Sequence, residues 1–169
     1  MGKYVSSASD EGWNDLLSKH IRGLKTYPRY SEPLGNAMSL CIQNVFIELT
    51  GSDFLVPVPK HPNEMTNGYN QTEKLAAVMS SILGTPVNNA LSKVKPVKMK
   101  DLPSRTSRKE AAQGLYSFAN NSSLVGKQVI LVDDVTTSGS TVSECSQVLL
   151  SAGAKIVNVF VAGRDVFVN

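Results

Sequence analysis

The sequence predicts an α/β protein with a mostly parallel sheet flanked by helices and a small helical hood at the N-terminus. Two short apolar runs, 54–59 and 129–132, have no polar face, which is typical of strands buried on both sides. Between them, apolar residues recur at helical spacing, and strands that alternate with helices favour a parallel sheet. The length of 169 residues suits a single domain.

Apolar spacing and turn residues place the individual elements. The predicted helices cover 13–24, 32–49, 70–83, 108–113 and 141–152. The predicted strands cover 54–59, 87–94, 129–132 and 156–161, with an apolar segment at 115–118. Small polar residues indicate a loose leader over 1–12. We therefore expect one domain, 1–169, with a helical part at 1–50 and a basic flexible loop at 93–109.

Composition excludes several classes of protein. No apolar run reaches the ~18 residues of a membrane span, and the polar N-terminus does not resemble a signal peptide. Cys41 and Cys145 are too few for a disulfide framework, which predicts two small core residues in a reducing compartment. We expect a cytoplasmic protein without a membrane partner.

A basic run over 93–109 stands out because the formal net charge of the whole chain is only +3. Such a run serves as a nucleic-acid patch, a phosphate-binding loop or a solvated face. No aromatic residue interrupts it, which argues against stacking on single-stranded nucleic acid. The cations that we expect to be functional are Lys98, Lys100, Arg105 and Arg108.

The segment 129–141 carries the chemistry. Its apolar residues lead to Asp133 and Asp134, predicted to follow the end of a central strand, and a capping box of Thr141 and Glu144 predicts the next helix. A turn of small residues before a helix offers backbone N–H groups to an anion the size of a phosphate. The residues of this predicted turn are Thr137, Ser138, Gly139, Ser140 and Thr141.

Two adjacent carboxylates would repel a phosphate, so we expect Asp133 and Asp134 to face vicinal hydroxyls, a cation or both. A phosphate and hydroxyls together describe a ribose 5-phosphate, at the sheet edge where ligands of open α/β sheets bind. Metal-binding carboxylates of the Walker B type are one alternative, but the matching phosphate-loop motif is missing. A plain turn is the other, since Asp, Thr, Ser and Gly are all turn residues.

The segment 129–141 resembles the 5-phosphoribosyl pyrophosphate (PRPP) motif of type I phosphoribosyltransferases, except that Thr136 stands where the family usually has an aliphatic residue. Within that superfamily the chain is most similar to the competence protein F branch. The stretches that carry this second likeness are 21–27, 56–62, 68–71 and 113–118. We expect the chain to lack the cysteine-rich zinc ribbon with which many of those proteins open.

This resemblance implies a Rossmann-like phosphoribosyltransferase fold and an enzyme that binds PRPP with Mg²⁺. The ribose 5-phosphate would pass to a nitrogenous acceptor such as a nucleobase. Asp133 and Asp134 would bind the ribose hydroxyls and are the candidate protein ligands of Mg²⁺. The residues 137–141 would hold the 5′-phosphate. Val58, Pro59 and Lys60 would form a pyrophosphate loop, in which superfamily members often carry a cis peptide.

The resemblance also implies that the basic loop closes over the site and that the chain forms a homodimer; it does not identify the acceptor. Two alternatives stay open. One is a non-catalytic PRPP or nucleotide binder with a regulatory role. The other is a competence-related, DNA-associated protein, suggested by the basic run. The only histidines are His20 and His61, and His61 is expected in a turn, so no catalytic base is evident.

Overall fold

The computed structural model describes residues 2–4, 15–65, 68–97, 104–119 and 123–165, and the statements below concern these residues. The helices are α1 (Leu16–Leu24), α2 (Ser31–Asn44), α3 (Gln71–Leu83), α4 (Arg105–Ala112) and α5 (Ser140–Ser151). The strands are β1 (Gly2–Tyr4), β2 (Phe54–Pro57), β3 (Leu91–Lys93), β4 (Tyr116–Phe118), β5 (Gln128–Thr136) and β6 (Ile156–Asp165). Short 3₁₀ turns lie at Pro28–Tyr30, Ile47–Leu49 and Pro62–Glu64.

Four strands form a parallel sheet in the order β1-β6-β5-β2, which confirms the predicted fold class. The strand β5 is central. It pairs with β6 from Gln128 to Thr136 and with β2 from Val129 to Val132. The strands β3 and β4 form a separate two-stranded antiparallel sheet.

The apolar run of β5 packs against both layers of helices. Ile130 and Val132 point into one core, which they share with α1, α2 and α3. Val129 and Leu131 point into a second core with α5 and the two-stranded sheet. All four side chains are inaccessible to solvent. The sheet is therefore covered on both faces, and its functional groups lie at the carboxyl ends of its strands.

Several boundaries differ from those predicted. The strand β5 continues to Thr136, beyond the apolar run, because β6 keeps pairing with it: Asp133 is opposite Val161 and Val135 is opposite Gly163. The predicted helix 32–49 ends at Asn44 and a 3₁₀ turn follows. The predicted leader is wrong at Gly2–Tyr4, which pair in parallel with β6.

The segment 87–94 joins the parallel sheet only through an isolated bridge from Val87 to Leu55, and its remainder contributes β3 to the two-stranded sheet. The helix α4 begins at Arg105, earlier than predicted, because the Ser104 Oγ accepts a hydrogen bond of 3.0 Å from the Ser107 N–H. The predicted loop over 93–109 therefore does not extend beyond Ser104.

Both cysteines are free thiols: Cys145 is buried in the second core and Cys41 is half-buried. None of the described helices combines the length and the hydropathy that a membrane crossing requires.

Candidate functional site

The extension of β5 decides where the two carboxylates point. Successive side chains of a strand point to opposite faces of the sheet. Asp133 therefore lies on the face of Leu131, toward α5, and Asp134 lies on the face of Val132, toward α3. Both residues are buried, with 7% and 6% of their surface exposed. The structure brings the pair to one edge of the sheet, but on its two faces.

Asp134 is held by two donors. Its Oδ2 accepts a hydrogen bond of 3.1 Å from Gln71 Nε2, and its Oδ1 accepts one of 2.8 Å from the Val135 N–H. Asp133 Oδ1 accepts a hydrogen bond of 2.9 Å from the Asp134 N–H. Asp133 thus faces the strand's own backbone, whereas Asp134 is linked to the first residue of α3.

Burial and neighbouring charges shift the pKa values of Asp133 and Lys60. Burial, followed by the neighbouring charge of Asp134, raises the pKa of Asp133 well above its ordinary value of 3.8, and Lys25 opposes that rise. Burial lowers the pKa of Lys60, with the Asp134 carboxylate acting in the opposite direction. Lys60 and Lys25 therefore both lie within electrostatic reach of the acidic pair.

The turn 58–60 continues directly from β2. The Val58 N–H donates to the Val132 carbonyl at 2.9 Å, and the Val58 carbonyl accepts from the Thr72 hydroxyl at 2.5 Å. Pro59 and Lys60 follow, half-buried. The expected cis peptide is not present, since every described peptide bond is trans. The turn is nevertheless fixed between β5 and α3, with Lys60 within electrostatic reach of Asp134.

The predicted phosphate turn lies between β5 and α5. Gly139 occupies the N-cap position with a φ of +78°, in the left-handed region that favours glycine, and has no side chain to cover the first N–H groups of α5. A Cβ placed on Gly139 would meet no heavy atom within 4 Å, so the space above the turn is open. The hydroxyls of Ser138 and Ser140 lie 2.9 Å apart beside it. Open amides at the positive end of a helix suit an anion.

The predicted capping box of Thr141 and Glu144 is wrong. Because Gly139 is the N-cap, Thr141 is already the second residue of α5, and its side chain hydrogen-bonds Tyr116. Glu144 Oε1 accepts a hydrogen bond of 2.7 Å from the Gly114 N–H. Both side chains connect α5 to the segment around β4 rather than close the helix end.

The basic run is described only in part. Lys98 and Lys100 lie outside the described residues. Arg105 and Arg108 belong to α4, and the structure describes only the backbone of these two residues. Lys93 forms a buried ion pair, its Nζ lying 2.6 Å from Glu64 Oε2. At this end of the run, the cation is thus structural rather than solvated.

The described residues contain no group of three His, Cys, Asp or Glu side chains that could hold a metal ion. Asp133 and Asp134 are two such side chains, on opposite faces of the sheet. Neither histidine is poised as a base: His61 Nδ1 accepts from the Asn63 N–H at 3.2 Å, and His20 Nδ1 lies 2.8 Å from the Leu16 carbonyl.

Sequence reasoning missed several residues around the pair. Gln71 contacts Asp134 directly. Tyr69 lies within electrostatic reach of Asp134, and Lys25 lies within electrostatic reach of Asp133. Glu64 forms the ion pair with Lys93. Gln71, Tyr69 and Lys25 lie in stretches that resemble family motifs, 68–71 and 21–27. That signal marked their positions but gave them no role.

In sequence, the chain is similar to a competence protein. No family model matches the chain. Competence protein F of Haemophilus influenzae is 32% identical over 113 residues, which cover 65% of this chain and 49% of that protein. The match thus spans about half the length of this curated relative.

Solved structures that share this fold include two enzymes. Glutamine PRPP amidotransferase from B. subtilis, complexed with ADP and GMP, superposes with a TM-score of 0.57 at 18% identity, over 84% of this chain and 30% of that one. The allosteric regulatory enzyme of purine biosynthesis gives the same TM-score of 0.57 at 20% identity, again over 84% and 30%. The chain has the type I phosphoribosyltransferase fold. The resemblance to competence protein F inferred from the sequence is confirmed.

Proposed function

We propose that the protein is a phosphoribosyltransferase that binds PRPP with Mg²⁺ and transfers ribose 5-phosphate to a nitrogenous acceptor such as a nucleobase. One observation carries the proposal: an open turn with a left-handed Gly139 precedes α5, next to a carboxylate pair at the end of β5. This arrangement lies in a fold shared with a PRPP amidotransferase.

Each part of the site has a proposed task. The turn 137–141 holds the 5′-phosphate, because its amides and hydroxyls are donors at a helix N-terminus. Asp133 and Asp134 form the acidic side of the ribose site, and Asp134 is the member oriented by a neighbouring side chain. The turn of Val58, Pro59 and Lys60 receives the pyrophosphate. As pyrophosphate leaves, a carboxylate beneath the ribose stabilises the positive charge that develops.

The phosphate turn can be tested with two glycine variants. Gly139 and Gly126 have φ values of +78° and +75°, and a Cβ on either would meet no heavy atom within 4 Å. Gly139→Ala and Gly126→Ala therefore carry the same backbone cost, about 1 kcal/mol. Only Gly139→Ala adds a methyl group where a phosphate would approach, so calorimetric titration with PRPP and Mg²⁺ should show a loss of affinity in that variant alone. Equal affinities in both variants would refute the proposed phosphate site.

Turnover needs a separate assay. Pyrophosphate release from PRPP, measured with a panel of purines, pyrimidines and amines, should occur with one class of acceptor. Asp134→Asn should abolish it, with the fold checked by circular dichroism. Tight PRPP binding without release for any acceptor would exclude the transferase.

A non-catalytic PRPP- or nucleotide-binding regulatory protein is the second candidate, in a competence-related, DNA-associated role. Two observations favour it: the similarity to competence protein F, and the engagement of both histidines in local hydrogen bonds. Binding of single-stranded DNA that weakens steeply with salt would support this role, since phosphate contacts release counterions. A homodimer, proposed from the family resemblance, can be checked by analytical ultracentrifugation.

A further inference from the structure

The two faces of β5 give the acidic pair unequal surroundings. Asp133 lies toward Tyr116 and Cys145 on the α5 face, and its charge acts on both. Asp134 lies toward Gln71 on the α3 face. The polar side chain that shares a face with Asp134, and contacts it, is that of Gln71.

The position of Gln71 is fixed by its neighbours on α3. Asn70 is the N-cap residue, and its Oδ1 accepts from the Thr72 N–H at 3.3 Å and from the Thr72 hydroxyl at 2.7 Å. The Thr72 hydroxyl also contacts the Val58 carbonyl, and Val58 pairs with β5. Gln71 begins α3 between these two anchors. Its side chain therefore reaches Asp134 from a rigid base.

The orientation of the Gln71 amide has a cost. Gln71 is 7% exposed, and its Oε1 is buried without a hydrogen-bond partner in the described part of the chain. A buried acceptor without a partner is unfavourable and calls for a reason. The amide adopts this orientation because its Nε2 donates to the Asp134 carboxylate, and an ionised carboxylate accepts hydrogen bonds but does not donate them. The fold thus tolerates an unsatisfied oxygen to keep a donor on Asp134.

We propose that Gln71 is a positioning residue: it orients the Asp134 carboxylate so that its accessible lone pairs meet a ribose hydroxyl, and the Gln71–Asp134 unit is the sugar-hydroxyl reader of the site. This inference rests on the proposed function, because it assumes that a ribose 5-phosphate occupies the site. It adds to the acidic pair a neighbouring amide that sets the orientation of one of the two carboxylates.

The test measures hydroxyl discrimination, since a merely structural role would weaken binding of every sugar phosphate alike. Wild type is titrated calorimetrically with ribose 5-phosphate, 2-deoxyribose 5-phosphate and 3-deoxyribose 5-phosphate. We expect a preference of about tenfold for the full sugar over at least one deoxy compound, as for one hydrogen bond to a charged group. In Gln71→Leu that preference should fall to within about twofold. Binding of the deoxy compound itself should change little.

Matched variants separate the effect from folding. Gln147→Leu makes the same chemical change at an exposed position of α5 and should leave discrimination intact. Gln71→Glu keeps the shape but places an acceptor against Asp134, and it should lose discrimination even if Gln71→Leu proves unstable. In an Asp134→Asn background, Gln71→Leu should cause no further loss, because coupled residues are not additive.

The outcomes are distinct. If wild type binds none of the three sugar phosphates, the proposed function fails and this inference with it. If wild type discriminates and the stably folded Gln71 variants discriminate equally well, only the role of Gln71 is refuted. A loss of preference confined to the Gln71 and Asp134 variants supports the Gln71–Asp134 unit.

Discussion

Replacing Lys93 by alanine would leave the Glu64 carboxylate buried without its cation. Lys93 Nζ lies 2.6 Å and 2.9 Å from the two Glu64 oxygens and 2.8 Å from the Val97 carbonyl. The two side chains are only 7% and 10% exposed, so water cannot replace the ammonium without local rearrangement. Removal of one partner from a buried ion pair costs about 3–5 kcal/mol, and we expect Lys93→Ala to fall in that range.

The assay is urea unfolding at pH 7, followed by circular dichroism. A lower midpoint with an unchanged slope would report lost stability rather than a change in compactness. The matched control is Lys127→Ala, because Lys127 Nζ also lies 2.9 Å from a carboxylate oxygen, that of Asp53, but the two side chains are 44% and 34% exposed. Solvent screens that pair, so Lys127→Ala should change the midpoint very little.

The double variant Lys93→Met with Glu64→Leu identifies the cause. It removes both charges and fills the space with apolar groups, which often restores the stability that a single removal takes away. If Lys93→Ala is no more destabilising than Lys127→Ala, burial does not make this ion pair important. If the double variant is as unstable as Lys93→Ala, lost packing rather than an unpaired charge is responsible.

Three further predictions concern titration and thiol chemistry. Asp133→Asn should stabilise the fold at pH 7. Burial raises the pKa of Asp133 above 3.8, so the wild-type native state loses stability as pH rises past 3.8. The gain in stability of the variant should therefore vanish in more acidic solution. Asp53→Asn should do the opposite: the Gln128 N–H and Lys127 lower the pKa of Asp53, so its contribution is present at neutral pH and is lost as pH falls below 3.8. Thermal unfolding at pH 3 and pH 7 measures both, and equal shifts at the two pH values would contradict them. An excess of a thiol reagent should modify Cys41 in the folded protein and Cys145 only after denaturation, since burial raises the pKa of the Cys145 thiol; equal reaction rates without denaturant would refute this.

Local patterns in the sequence are sufficient to predict the central strand of the sheet and the turn that precedes α5. The apolar run 129–132 identified the central strand because β5 is buried on both faces. The extension to Thr136 was not predictable in that way, since Asp133 and Asp134 are poor strand formers and the pairing is supplied by β6. The sequence also predicts the turn before α5. It places the N-cap at Thr141, two residues too late, because Gly139 takes that position.

Contacts between distant residues explain the rest. Gln71 and Asp134 are separated by 63 positions, and Glu64 and Lys93 by 29. No spacing rule connects such pairs, because the fold alone brings them together. From the sequence alone, Lys93 is therefore one more cation of the basic run, and Gln71 is one more residue at the start of a predicted helix.

The contacts that position Asp134 also set the order in which the site can assemble. They lead from Val132 through Val58, Thr72 and Gln71 back to Asp134, and thus begin and end on β5. Contacts between residues far apart in sequence form slowly during folding, because the chain must first close long loops. During refolding, the capacity to bind a sugar phosphate should consequently appear after most of the helix content. A ligand of this site would stabilise only the chain in which β2, α3 and β5 have all docked.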